Sequence, residues 1–232
     1  MQIIDDLVAQ ARTALGDQLR AVILYGSAAE GRMRATSDVN LLFVLTRFEH
    51  VDAFREPYRF AQAAANVTAM FILESELDAA AQAFAQKFAD IGRRHTVLYG
   101  DDVVANITIS RGALVTRLRQ VLLNLTIRLR ELYMERSLRE EQCAFTVAES
   151  AGPLRTSSVS ILELEGRETL QPKEALETLV RELHRPELTE LLPHISEARE
   201  ERALPAGRAA AYLFATLELA GALYERSLRL QP

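Results

Sequence analysis

Residues 24–44 read LYGSAAEGRMRATSDVNLLFV. Two short apolar runs, AVILY ending at Tyr25 and LLFVL beginning at Leu41, bracket a polar turn, and runs of this length bounded by turn residues read as buried strands. Gly26-Ser27 follows the first run directly. After nine intervening residues, Ser37-Asp38-Val39-Asn40 leads into the second. Glycine permits close backbone approach, so the amides of Gly26 and Ser27, opening a short helix, are expected to offer donors and a positive dipole end to phosphate oxygens. Ser27 adds a hydroxyl. Asp38 and Asn40 are two apart on a strand and project from one face, toward whatever the Gly-Ser turn holds. The same residues have plainer readings: Asp38 as a turn residue capping a strand, and Asn40 as a buried amide bonded to the loop.

Working outward, the first hundred residues alternate between strand and helix periods, as in a layered α/β arrangement. The patterning predicts helix at 2–15, strand at 20–25, a loop with a short helix at 27–35, strand at 39–45, helix at 49–64, strand at 66–73, helix at 75–91 and strand at 95–99. Beyond residue 108 the strand signal stops and apolar residues recur at helical spacing. Helices are expected at 111–139, 138–150, 157–165, 172–184, 186–199 and 206–229, with Gly152-Pro153, Pro172, Pro186 and Pro205 as breaks. The fold class expected is therefore α+β: a small mixed sheet flanked by helices over residues 1–107, then an all-helical bundle over 108–232. The last helix is apolar around much of its circumference, which suits a central or interfacial position.

Bulk properties narrow the function. At 25.9 kDa and 49% apolar residues the chain can fill real cores. A net charge of −5 and a pI near 5.5 argue against nucleic acid as partner. The arginine-rich stretch 111–139 reads mainly as a solvated face. The acidic N-terminus is unlike a secretory signal, and no apolar run approaches the roughly 20 residues of a membrane span, so a cytoplasmic protein with no membrane partner is expected. The single cysteine, Cys143, excludes an intrachain disulfide and a cysteine-based zinc site, and reads as a core residue.

A strand, Gly-Ser, a Gly31-containing turn and then Ser-Asp-x-Asn on a neighbouring strand resembles the polymerase-β-like nucleotidyltransferase superfamily, close to its minimal and kanamycin-nucleotidyltransferase-like members. The resemblance covers about residues 20–100, including Leu98-Tyr99-Gly100. It implies nucleotide binding by Gly26, Ser27 and Ser37, magnesium as cofactor, and transfer of a nucleoside monophosphate from an NTP to a hydroxyl of a small molecule or protein. It also implies three metal carboxylates. The first is present as Asp38, but the second position is Asn40 and the third matches Thr68, so the catalytic triad is degenerate and the metal site, Asp38 with Asn40, is weak.

One charge pair at about 4 Å and an effective dielectric near 20 contributes about 4 kcal/mol, so losing two carboxylates removes decades of affinity or rate. Glu74 shares the strand parity of Thr68 but lies roughly 20 Å along the strand. Glu30, just before Gly31 where relatives often carry arginine, is expected to repel a triphosphate, with Arg32 and Arg34 nearby. The reading is a nucleotidyltransferase-like protein with weak or lost transfer and a retained nucleotide or anion pocket. Two alternatives stand beside it: an active magnesium-dependent transferase using Asp38 and Asn40, and an interaction module whose helices dimerise or bind a partner over a vestigial pocket. None of the four histidines has an arginine at the upstream spacing of the helical toxin ribonucleases often paired with such proteins.

Overall fold

Seven residues each in β1 (Leu19–Tyr25), β2 (Val39–Leu45) and β3 (Val67–Leu73), with β4 (His95–Gly100), form a four-stranded sheet of order β3-β2-β1-β4. The computed structural model describes residues 2–31 and 38–232. β2 and β3 run parallel, whereas β1 is antiparallel to both of its neighbours. Alternate side chains go to opposite faces, and both faces are covered. Val22, Leu24, Leu41, Phe43 and Leu45 pack on α1 (Gln2–Leu15) and α2 (Asp52–Ala65). Ala21, Ile23, Leu42 and Val44 pack with Leu77, Phe88 and Ile91 of α3 (Leu77–Ala83) and α4 (Ala85–Arg93). Double burial is why β1 and β2 read as unbroken apolar runs rather than alternating ones.

The covering helices follow from their stripes. Ile4, Leu7, Val8, Ala11 and Leu15 of α1 recur at three- and four-residue steps and are all buried. The helix expected over 75–91 is interrupted: a 3₁₀ turn at Glu74–Glu76 precedes α3, and Phe84, with ψ of 38°, leaves the helical region between α3 and α4. At the far edge Gly100, with φ of +77°, sits so close to β1 that a Cβ there would lie 2.0 Å from the carbonyl oxygen of Arg20. Only glycine closes the sheet at that point.

The chain divides into two compact units, Met1–Ile109 and Ser110–Pro232. The second is all helix among the described residues: α5 (Arg111–Arg136), α6 (Glu140–Leu164), α7 (Pro172–Glu182), α8 (Pro186–Glu201) and α9 (Ala209–Ser227). Its core joins Leu118, Leu122 and Leu129 of α5 to Val147, Leu154 and Ile161 of α6 and Leu213, Leu219 and Leu223 of α9. Pro172 and Pro186 open their helices at the first position, where a missing N–H costs nothing. Buried Cys143 lies in this core and donates its thiol to the carbonyl of Arg136 at 3.3 Å; burial pushes its pKa up.

One expectation is corrected here and another refined. Gly152-Pro153 does not break a helix: α6 runs through it. Glycine before the proline has no Cβ to clash with the ring, and the surrounding turns are buried, so packing outweighs the one lost hydrogen bond. The arginine-rich stretch is mainly solvent-facing, as expected, with Arg128 and Arg130 exposed, but two of its arginines are also engaged. Arg111 donates to the carbonyls of Leu164 and Gln231 at 2.8 and 3.1 Å, and Arg119 to those of Ser227, Leu228 and Leu230 at 3.2, 3.3 and 2.6 Å. Cations there satisfy orphan carbonyls at the end of α6 and at and just beyond the end of α9, and complement the helix dipoles.

Candidate active site

Strand register brings the singled-out residues to one sheet end. Tyr25, the last residue of β1, pairs with Asn40, and Asn40 pairs across the parallel ladder with Thr68. Asn40 shares its parity with Leu42 and Val44, and Thr68 with Met70 and Ile72, so both lie on the α3/α4 face. The hydroxyl of Thr68 donates to Oδ1 of Asn40 at 2.9 Å. Asn40 Nδ2 in turn lies 3.5 Å from the carbonyl of Asp38.

Asp38, exposed at the mouth of β2, is not alone. Asn66 donates through Nδ2 to Oδ1 of Asp38. Asn66 ends α2 in the left-handed conformation, φ 49° and ψ 41°, a place where asparagine substitutes for glycine. That conformation turns the chain from α2 into β3 and leaves the side chain beside β2. Asn66 was not among the residues expected from sequence. Its signal was the cap position after an alanine-rich helix, but its partner follows only from the parallel β2/β3 register.

The Gly-Ser turn departs from expectation. Gly26, with φ of +79°, opens a 3₁₀ turn over Gly26–Ala28, and its amide donates to the carbonyl of Arg94 at 2.9 Å rather than facing a ligand. Ser27 is half-buried within that turn. Gly26 remains beside the strand pair: a Cβ built on it would be 3.9 Å from Asn40 Nδ2. Ser37, Arg32 and Arg34 lie outside the described residues.

Arg94 holds the turn at both ends. Its guanidinium donates to Asp90 at 2.5 and 3.0 Å and to Glu30 at 3.4 Å, with all three side chains only about one-fifth exposed. Partial burial works against the Arg94 charge, but the bonds and charges of Asp90 and Glu30 win and hold its pKa above the ordinary arginine value. Glu30 is thus not a free charge facing the turn, because its carboxylate is paired. Glu74 is likewise engaged, at 3.2 Å from Arg20, and Glu76 accepts from the amide of Leu73 at 2.9 Å.

Magnesium seeks near-octahedral oxygen ligands and is commonly bound through one or two carboxylates plus substrate phosphates. Here Thr68 and Asn66 direct protons at the oxygens of Asn40 and Asp38 that such an ion would use. A cation on either oxygen must compete with a hydrogen bond already made. Among the described residues no three of His, Cys, Asp or Glu gather into a group able to hold a metal. The site offers an ion one carboxylate, Asp38, where the resemblance implies three, and Oδ1 of Asp38 and of Asn40 each already accept a hydrogen bond, a poor fit to a magnesium ion bridging phosphates.

The chain as a whole has a solved counterpart in fold. Spectinomycin adenyltransferase AAD(9) from Enterococcus faecialis, determined with ATP and spectinomycin, superposes with a TM-score of 0.68 over 98% of this chain and 99% of its own, at 12% identity. The chain has a nucleotidyltransferase fold. No protein-family model matches it, and no curated protein sequence does. No helix among the described residues is long and apolar enough to cross a membrane. Within that fold, the residues singled out from sequence form a chain of amide, hydroxyl and carboxylate groups bonded to one another.

Proposed function

We propose that this protein is a nucleotidyltransferase-fold protein in which magnesium-dependent transfer has been lost. The two compact units are, on this reading, a nucleotidyltransferase-like domain and a helical domain. The observation that carries the proposal is the Thr68 to Asn40 hydrogen bond. At the two positions where the resemblance calls for a second and third carboxylate, a donor and an acceptor satisfy each other. A pair of carboxylates side by side needs a cation to offset its repulsion; a hydroxyl and an amide do not.

What the site retains is one carboxylate, Asp38, beside polar neutral groups. A nucleotide bound there would have to be held without a bridging ion. The pertinent ligands to test are nucleoside triphosphates, because the structural counterpart was determined with ATP and with a small-molecule acceptor. Calorimetric titration of ATP, GTP, CTP and UTP, each with and without magnesium, decides between the readings. Affinities that magnesium leaves unchanged, and that Asp38→Ala does not weaken, are expected. Magnesium-dependent binding abolished by Asp38→Ala would restore the active transferase reading.

A further inference from the structure

At the opposite end of β2 and β3 the aromatic residues collect. Phe71 stacks on Phe43 with centroids 5.0 Å apart, and Phe54, Tyr58 and Phe48 meet it edge-on at 6.3, 5.6 and 6.3 Å. Five of the chain's 9 Phe and 6 Tyr residues are in this one cluster. They do not close it. Phe48, in the loop after β2, is 57% exposed, and beneath it a cleft of about 230 Å³ is bounded by Leu45, Phe48, Val51, Phe54, Tyr58 and Phe71. Leu45 is five residues beyond Asn40 along β2, roughly 17 Å away at strand rise, so the cleft is separate from the candidate active site.

Size and chemistry narrow the occupant. An apolar cavity of about 150 Å³ stays dry and takes benzene, while sites for drug-sized ligands run from about 300 Å³ upward. A cleft between those limits suits a one- or two-ring molecule and is too small for a helix or a peptide strand. Rings presenting both faces and edges favour a planar aromatic guest, whose own edges and faces complete offset and T-shaped contacts. Arg55, the charged residue of the lining, is highly exposed and already paired with Asp52 at 2.5 Å, so it contributes a rim rather than a buried charge. We propose that this cleft is a binding site for a small, planar, uncharged aromatic molecule.

The chain contains no tryptophan, so indole fluorescence can be followed against the protein without interference at wavelengths where tyrosine does not absorb. Indole titrated with the full chain is expected to show a saturable change. Phe48→Ala, which removes an exposed lip, and Val51→Phe, which fills the cleft, are each expected to weaken that binding tenfold or more, with melting curves matching the native protein. An excess of cyclohexanol, similar in bulk but not aromatic, is expected not to displace indole. Absence of saturation, saturation that neither variant alters, or displacement by cyclohexanol would each overturn the proposal.

Discussion

Across the parallel register of β2 and β3, Thr68 gives its hydroxyl proton to Oδ1 of Asn40 at 2.9 Å. One step nearer the strand mouths Asn66 does the same for Asp38. Thr68 and Asn66 thus satisfy Asn40 and Asp38, and this sheet end carries hydrogen bonds where the family resemblance implies a cation.

Thr68→Val keeps the β-branched shape and removes the donor. The loss leaves Asn40 Oδ1 to solvent at an accessible position, so the cost expected is about 1 kcal/mol, near the net worth of one hydrogen bond. Urea denaturation of the two proteins, at equal slope, measures it. A shift of the same size with and without magnesium is expected.

Asn40→Asp with Thr68→Asp should behave in the opposite way. Three carboxylates then crowd one sheet end, and the fold is expected to be destabilised in chelator, with a melting temperature several degrees below native, and restored in part by millimolar magnesium. Thermal melts with chelator and with magnesium test this; a double variant as stable as native in chelator would show that the positions are not close enough to repel.

Arg94 fastens the Gly26 turn through its carbonyl and its side chain. Replacing it with alanine removes the cation between Asp90 and Glu30, both about one-fifth exposed, and leaves Asp90 only its 3.4 Å contact with Arg93. A loss of about 2–3 kcal/mol is expected, in the range for charged hydrogen bonds whose partners stay partly buried. Arg94→Lys should recover less than half, because an ammonium cannot match the forked contact with Asp90. Arg119→Ala is expected to cost about 1–2 kcal/mol by uncapping three carbonyls at the end of α9.

Acid should loosen the segment after β4. The contact with His95 Nε2 at 3.0 Å, aided by the amides of Val104 and Ala105, holds the Asp102 carboxyl below its ordinary value. The folded state therefore takes up this proton less readily than the unfolded chain does. The stabilisation is complete above the unfolded value of about 3.9 and is lost as pH falls through the folded one. Native protein should exceed Asp102→Asn in stability near about pH 6, and the gap should close below about pH 3, read from urea midpoints.

Much of the first unit was legible because its strands are buried on both faces and its helices carry single apolar stripes. The strand expected over 39–45 coincides with β2, and the parity that puts Asp38 and Asn40 on one side follows from period alone. The partners were not legible. Asn66 and Arg94 are 28 and 64 residues from Asp38 and Glu30, the groups they bind, and nothing local in the sequence marks them. Gly26 read as a phosphate donor because its amide follows a strand, yet the antiparallel β1/β4 pairing gives that amide to Arg94. In the helical unit, Gly152-Pro153 misled for a physical reason: local propensity argues for a break, and tertiary burial overrides it.

On the proposed function, hydrogen bonds stand in this site where a cation would otherwise be held. Calorimetric titration of ATP into the native chain and into the Asn40→Asp/Thr68→Asp variant, with and without magnesium, decides the matter. The prediction is that magnesium leaves the native titration unchanged and tightens ATP binding to the double variant tenfold or more. Magnesium-dependent tightening in the native protein, lost in Asp38→Ala, would contradict it.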